Sequence, residues 1–187
     1  MMKNVKEAVE ILKKGGVIIA PTDTVYGLIC DATNKKAVEK IFKIKKRSKS
    51  KPLPIFVKDI KMAKNLTELS FEQEKFLKKV WPGKTTVVLK RKKSKIKLYG
   101  VAKDTIALRV PKHKVISYLL SAIGRPLAQT SANISGQPAS SNIKEVLRQF
   151  GSQKIKLDLI IDDGNLPKSK PSKIIDLTVW PPKILRP

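Results

Sequence analysis

An apolar run, Gly16-Val-Ile-Ile-Ala20, meets a proline and opens into Pro21-Thr-Asp-Thr-Val-Tyr-Gly-Leu28. This junction constrains the fold more than any other stretch of the chain. The run reads as a buried strand. Pro21 cannot donate to a sheet ladder, so pairing should end there. Two hydroxyls, a carboxylate and a phenol then follow within six residues, a composition suited to the floor of a site. Gly27 lets the chain turn or come close to a ligand. A plain strand-to-loop exit carries similar residues, and the reading as a site rests on further polar clusters downstream.

The rest of the chain alternates strand and helix signals, with no internal repeat and no long linker. Val5, Ala8, Val9 and Leu12 fall on one face of an N-terminal helix. Ala37, Val38, Ile41 and Phe42 make a helical stripe within residues 34–46. Residues 51–57 read as a strand entered through prolines, and Ser70 as the N-cap of a helix that Pro82 and Gly83 stop. Strands are predicted at 85–89, 105–110, 126–129, 157–161, 174–179 and from 184 onward, with helices at 113–123 and 143–150. Alternation of this kind predicts a single α/β domain over residues 1–187. The late run of strands with little helix between them predicts a mixed rather than a wholly parallel sheet.

With 187 residues, 41% of them hydrophobic and 29% charged, the chain suits one globular core. No apolar run approaches the ~20 residues of a membrane helix, and the N-terminus lacks the apolar segment of a secretion signal. Cys30 is the only cysteine, so no internal disulfide is possible and a cytoplasmic location is expected. His113 is the only histidine, which excludes a Cys/His zinc cage and disfavours a Cys–His dyad. No glycine-rich phosphate loop is present. The net charge of +25 points toward polyanions, RNA among them. Yet only six of the forty basic residues are arginines, at 47, 91, 109, 125, 148 and 186. Each is therefore a candidate for a bidentate anion contact that lysine cannot copy.

Four clusters beyond the first carry candidate chemistry. Lys45 and Arg47 stand at a helix end, where cations meet the C-terminal dipole or project to hold phosphate oxygens. Arg109 lies in the apolar strand Thr105-Ile-Ala-Leu-Arg109, where it needs a partner, either a structural carboxylate or a substrate's. Ser131, Asn133, Ser135 and Gly136 form a polar turn able to present hydroxyls and amides to an anion. Ser172 and Arg186 sit at predicted strand ends, where α/β proteins gather ligand groups. The charge run over residues 90–97 reads as a solvated face.

Taken in order, these elements resemble the YrdC-like family of threonylcarbamoyl-adenylate synthases. The series comprises Pro-Thr-Asp-Thr-Val-Tyr-Gly-Leu from Pro21, Lys45-x-Arg47, Trp81-Pro-Gly, Arg109-x-Pro-x-His113, Ser131-Ala-Asn-x-Ser-Gly136, Ser172 before a strand ending in Asp176, and Leu185-Arg-Pro187. Each element is weak alone; the ordered series covers nearly the whole chain. The resemblance implies a twisted, open α/β sheet around a large basic cavity. It also implies a reaction in which L-threonine, bicarbonate and ATP give threonylcarbamoyl-AMP and pyrophosphate. A partner enzyme would then modify tRNA with the product.

The roles that the resemblance implies are these. Thr22 and Tyr26 line the threonine floor, Arg109 pairs with the threonine carboxylate, and Ser172 reaches the amino acid. Lys45 and Arg47 hold ATP phosphates and the carbamate, Thr105 touches the nucleotide, and Arg186 the phosphates. Ser131 and Asn133 bind phosphate and help place a magnesium ion that arrives with ATP; the metal's own ligands are not specified. The chain departs from the family pattern at Gln129-Thr130, where many members have proline before the serine, and at Ser172-Lys173, where Ser-Thr is usual. Its length points to the single-domain branch of the family. Two other readings compete. One is a module of the same fold that binds tRNA or double-stranded RNA with little catalysis. The other is the related domain of hydrogenase-maturation proteins, whose cysteines this chain lacks.

Overall fold

In the computed structural model, which describes residues 2–151 and 155–187, nine strands form one sheet. In chain order they are β1 (Ile18–Ala20), β2 (Gly27–Asp31), β3 (Ile55–Phe56), β4 (Thr85–Lys90), β5 (Thr105–Arg109), β6 (Leu127–Ser131), β7 (Leu159–Ile160), β8 (Lys173–Asp176) and β9 (Lys183–Arg186). The helices among the described residues are α1 (Met2–Lys13), α2 (Lys35–Lys45), α3 (Ile60–Lys64), α4 (Phe71–Val80), α5 (Lys114–Ile123) and α6 (Ile143–Phe150). The spatial order is β7-β1-β2-β6-β3-β5-β4-β8-β9, and parallel and antiparallel neighbours are mixed, as the late strands predicted.

The junction at Pro21 behaves as the missing N–H requires, because β1 ends at Ala20. Beyond it the structure departs from the sequence reading. Gly27 opens a second strand that runs back along β1, pairing Ala20 with Gly27 and Ile18 with Ile29. Residues 21–26 are therefore a hairpin connection rather than an exit loop. All five residues of β2 are buried, so it lacks the alternation that marks a half-exposed strand. The strand expected over 51–57 shrinks to two residues, since Pro52 and Pro54 have no N–H to pair. Helix α3, unforeseen, has one turn and is capped by Asp59, whose Oδ1 accepts the Met62 N–H at 2.7 Å.

Alternate strand residues divide between two faces. On one, Ile19, Leu28, Cys30, Ile55, Val87, Leu89, Ile106 and Leu108 join the larger core, which α2 and α6 help to close. On the other, Ile18, Ala20, Ile29, Phe56 and Leu127 are covered by Val5, Ala8, Val9 and Leu12 of α1 and by the apolar stripe of α5. That cover extends over β1, β2, β6 and β3. Farther along the same face, Thr86 and Val88 of β4, Thr105, Ala107 and Arg109 of β5, and Ile174 of β8 line a cavity instead.

Helix α2 delivers two predicted site residues from its C-terminus. The Arg47 N–H reaches back to the Phe42 carbonyl at 3.0 Å, and the Lys46 N–H to the Lys43 carbonyl at 3.1 Å. This paired closure requires a left-handed residue between them, and Lys46 supplies it with φ 51° and ψ 41°. A side chain is disfavoured there by the Cβ–carbonyl clash. Lys46→Gly should therefore stabilise the protein by about 0.5–1 kcal/mol, seen as a higher denaturant midpoint at unchanged slope, whereas Lys46→Val should lower it.

Candidate functional site

The cavity has a volume of about 460 Å³, within the roughly 300–1,000 Å³ of small-molecule sites. Its floor is the uncovered sheet face. Its rim comes from the 21–26 connection, the segment after α2, and the β8–β9 hairpin. Of the predicted site residues, Thr22, Tyr26, Arg47, Thr105, Arg109, Ser131, Ser172 and Arg186 all line it. Chain segments separated by more than a hundred residues thus converge on one volume. The charged groups in the lining are Arg47, Arg109 and Arg186; among the described residues no lysine and no carboxylate joins them.

The three arginines are held in the same manner. Arg47 donates from Nε to the Lys51 carbonyl at 2.9 Å and from Nη2 to the Pro52 carbonyl at 3.0 Å. Arg186 donates from Nε and Nη2 to the Ser172 carbonyl at 2.9 and 2.6 Å. Arg109 donates from Nε to the Gly83 carbonyl at 2.9 Å and from Nη2 to Asp23 Oδ1 at 2.6 Å. In each case the Nε–Nη2 side of the guanidinium is engaged by the protein. In each case Nη1 has no protein acceptor among the described residues. A fork clamped along one side offers its far end to an anion without first losing rotamer freedom. Burial lowers the pKa of all three; for Arg109, Asp23 partly offsets the effect and Arg186 adds to it. All three stay charged, because arginine does not deprotonate in proteins.

Lys45 and Asn133 differ from expectation: neither lines the cavity. The Lys45 ammonium, on a residue 3% exposed, donates to the Ser131 carbonyl at 2.7 Å and to the Asn133 carbonyl and Oδ1 at 2.9 and 2.7 Å. Asn133 Oδ1 also accepts the Ser131 hydroxyl at 2.6 Å, while its Nδ2 donates to the Ile134 and Gln137 carbonyls. The pair sits one layer behind Ser131 and fixes that hydroxyl. Burial, followed by the charge of Arg47, lowers the Lys45 pKa to about 8. Tyr26 is also committed elsewhere. Its phenol donates to the Gly164 carbonyl at 2.6 Å and accepts the Asp163 N–H at 3.0 Å, so it tethers the 162–164 loop while its residue lines the floor.

The remaining polar groups arrange themselves around this frame. The Thr22 hydroxyl donates to the Val25 carbonyl at 2.7 Å and accepts the Thr24 N–H at 3.1 Å, which folds the connection into a turn. The hydroxyls of Thr86 and Ser172 share a hydrogen bond of 2.9 Å on the floor. Sequence reading missed Thr86, Gln129 and Asp23. Thr86 and Gln129 carry no local signal, since only the pleat tells which residues of β4 and β6 face the cavity. For Asp23 a signal existed: the buried Arg109 needed a carboxylate, and one stood in the first cluster.

No group of three or more His, Cys, Asp or Glu residues able to hold a metal occurs among the described residues. No helix among them is long and apolar enough to cross a membrane.

Comparison with known proteins matches residues 10–187 to the Sua5/YciO/YrdC family model, described as telomere recombination. A threonylcarbamoyl-AMP synthase from Pyrococcus abyssi is 35% identical over 98% of this chain, which spans 56% of that relative's length. A threonylcarbamoyl-AMP synthase from Vibrio vulnificus is 36% identical, and the match covers 94% of this chain and 95% of the relative. The crystal structure of P. abyssi Sua5 complexed with L-threonine superposes with a TM-score of 0.88 at 36% identity, over 98% of this chain and 53% of that one.

His113 provides a pH readout beside the site. It precedes α5, its Nδ1 is buried with no hydrogen-bond partner among the described residues, and burial lowers its pKa against the smaller pull of Asp23 and Asp163. The unfolded chain therefore takes up this proton first as pH falls. Stability should decline from about pH 6.5 down through the folded-state midpoint and then level off, as far as this group is concerned. Proton NMR of the sole imidazole should give a midpoint below 6.5; a midpoint at or above 6.5 contradicts the burial argument.

Proposed function

The chain belongs to the Sua5/YciO/YrdC family, and on that premise we propose that it is an L-threonylcarbamoyladenylate synthase. The observation that carries the proposal is the cavity whose only charges, among the described residues, are three pre-anchored arginines. The reaction joins L-threonine, bicarbonate and ATP. The threonine amine attacks the carbon of bicarbonate and water leaves, which gives a carbamate. A carbamate oxygen then attacks the α-phosphorus of ATP, the α–β bridging P–O bond breaks, and pyrophosphate departs with that oxygen. Bicarbonate and ATP are anions, threonine presents a carboxylate, and the carbamate intermediate and both products are anionic. Positive groups fixed in advance, in a site of low dielectric, are what such a sequence needs. The substrate's own amine is the nucleophile, so the absence of a His/Cys apparatus in the lining is no obstacle.

In this reading Arg109 receives the threonine carboxylate and Arg47 and Arg186 receive phosphate oxygens. Thr22 and Ser172 bound the amino acid, with Thr86 beside Ser172. Thr105 meets the nucleotide. Lys45 and Asn133 act from behind: Asn133 takes the Ser131 hydroxyl proton away from the cavity and the Lys45 ammonium makes a long contact of 3.4 Å to the same oxygen, which leaves it one lone pair for a ligand. That acceptor face fits a cation more readily than a phosphate. A magnesium ion would therefore enter on the ATP phosphates and meet hydroxyl oxygens such as that of Ser131, since the walls offer no carboxylate. When bound, it supplies neutralisation of charge on the departing pyrophosphate.

The product would pass to a partner enzyme that modifies tRNA, in the cytoplasm. A cavity of this size admits a nucleotide and an amino acid but not folded RNA, so the reading as an RNA-binding module is not favoured.

Pyrophosphate release by the purified protein should require ATP, magnesium, bicarbonate and L-threonine together. Arg109→Ala should raise the KM for L-threonine, and Arg186→Ala that for ATP, each by about tenfold or more, as expected for one charge-assisted contact. Release that proceeds equally without L-threonine would overturn the assignment.

A further inference from the structure

Asp23 does not line the cavity, yet it is the only acidic side chain in contact with a cavity arginine among the described residues. Arg47 is clamped by backbone carbonyls, and Arg186 by the Ser172 carbonyl with a longer contact of 3.2 Å to the Ser172 hydroxyl; neither meets a carboxylate among the described residues. Arg109 is clamped by one carbonyl and one carboxylate, and it is the most buried of the three, with its side chain 2% exposed against 8% for Asp23. The second oxygen of Asp23 accepts the Lys112 N–H at 3.1 Å, just before α5. The carboxylate is thus fixed from two sides. It ties the hairpin connection to the start of α5 and holds Arg109 between them. The Phe56 ring lies under the guanidinium, 5.8 Å from centroid to Cζ.

We infer that Asp23 is a positioning residue for Arg109: it occupies Nη2 so that the far end of the guanidinium is directed at the carboxylate of an amino-acid substrate. This rests on the role given to Arg109 above. Electrostatics alone predicts the opposite consequence for its removal. Taking one negative charge from the neighbourhood of three arginines raises the positive potential of the cavity, which would tighten the binding of every anion. Positioning predicts that the amino acid binds more weakly while the nucleotide is unaffected. The two effects have opposite signs, so one variant separates them.

The experiment is Asp23→Asn, which preserves the size of the side chain and removes its charge. Two readouts are taken. The first is 15N NMR of arginine-labelled protein, with only six guanidinium groups to resolve and Arg109→Lys as the assignment control. In the unaltered protein Arg109 should give separate, slowly exchanging Nη signals, and these should merge in Asp23→Asn. The second is steady-state pyrophosphate release. The KM for L-threonine should rise about tenfold, the KM for ATP should stay within about twofold, and kcat at saturating L-threonine should change little.

An unchanged or lower KM for L-threonine in a folded variant overturns the proposal. So does a freely rotating Arg109 in the unaltered protein, a measurement that needs no variant to fold. If the unaltered protein shows no threonine-dependent turnover, the proposed function fails, and the NMR comparison still decides whether Asp23 holds Arg109.

Discussion

A buried arginine must be paired, and the way Arg109 is paired organises the site around it. Desolvating a guanidinium without compensation is strongly unfavourable. Here compensation comes from the first loop after β1, through Asp23, and from the Trp81-Pro-Gly turn, through the Gly83 carbonyl. Two segments remote in sequence are thereby drawn to the end of β5. The same contacts leave Nη1 without a protein partner. The stability of this residue and the direction of its open end are consequently one matter, since the interactions that make its burial tolerable also orient that end.

The sheet explains why such an arrangement has room to exist. A nine-stranded sheet offers more apolar area on one face than two helices cover. Helices α1 and α5 close the face over β1, β2, β6 and β3. Along β5, β4 and the entry to β8 the residues on that face change character to Thr105, Arg109, Thr86 and Ser172, together with Ala107 and Val88. Small and hydroxylated side chains leave volume above the sheet, which long aliphatic ones would fill. The opposite face of the same strands remains aliphatic, with Val87, Leu89, Ile106 and Leu108 in the larger core. One pleat therefore builds a core and a cavity back to back, and the alternation within β4 and β5 is the physical record of that division.

Much of this was legible in the sequence, and what was not has identifiable causes. The helix over 143–150 agrees residue for residue, since Asn142 is a good N-cap and the apolar stripe is strong. The helix after Ser70 agrees because its capping box is local. Strand β2 was hidden, since a wholly buried strand of five residues carries no period-2 signal. At the site, the series of motifs identified eight cavity residues, but spacing cannot say in which direction a side chain donates. The retreat of Lys45 behind Ser131, and the commitment of the Tyr26 phenol to the 162–164 loop, depend on contacts between segments 86 and 138 residues apart. No local pattern encodes these. The partner of Arg109 lay between the two readings open at the outset, and burial decides it in favour of a structural carboxylate with one end of the fork still free.

The charge of the chain acquires a different meaning once its distribution is seen. Lysine makes up most of the forty basic residues behind the net charge of +25, yet among the described residues the cavity lining contains none. Lysine is a mobile point charge on a flexible stem, strongly hydrated and easily neutralised when buried; arginine keeps its charge and can be clamped along one side while donating from the other. Lys45 illustrates the point, because its ammonium is fully taken up by Ser131 and Asn133 and its pKa falls to about 8. A lysine buried this deeply has its donors consumed by the protein, whereas an arginine has enough donors to satisfy the protein and a ligand at once. The surface lysines contribute a broad field that attracts anions of every kind. The three cavity arginines differ from that field in being held along one side, with the free end of each fixed in direction.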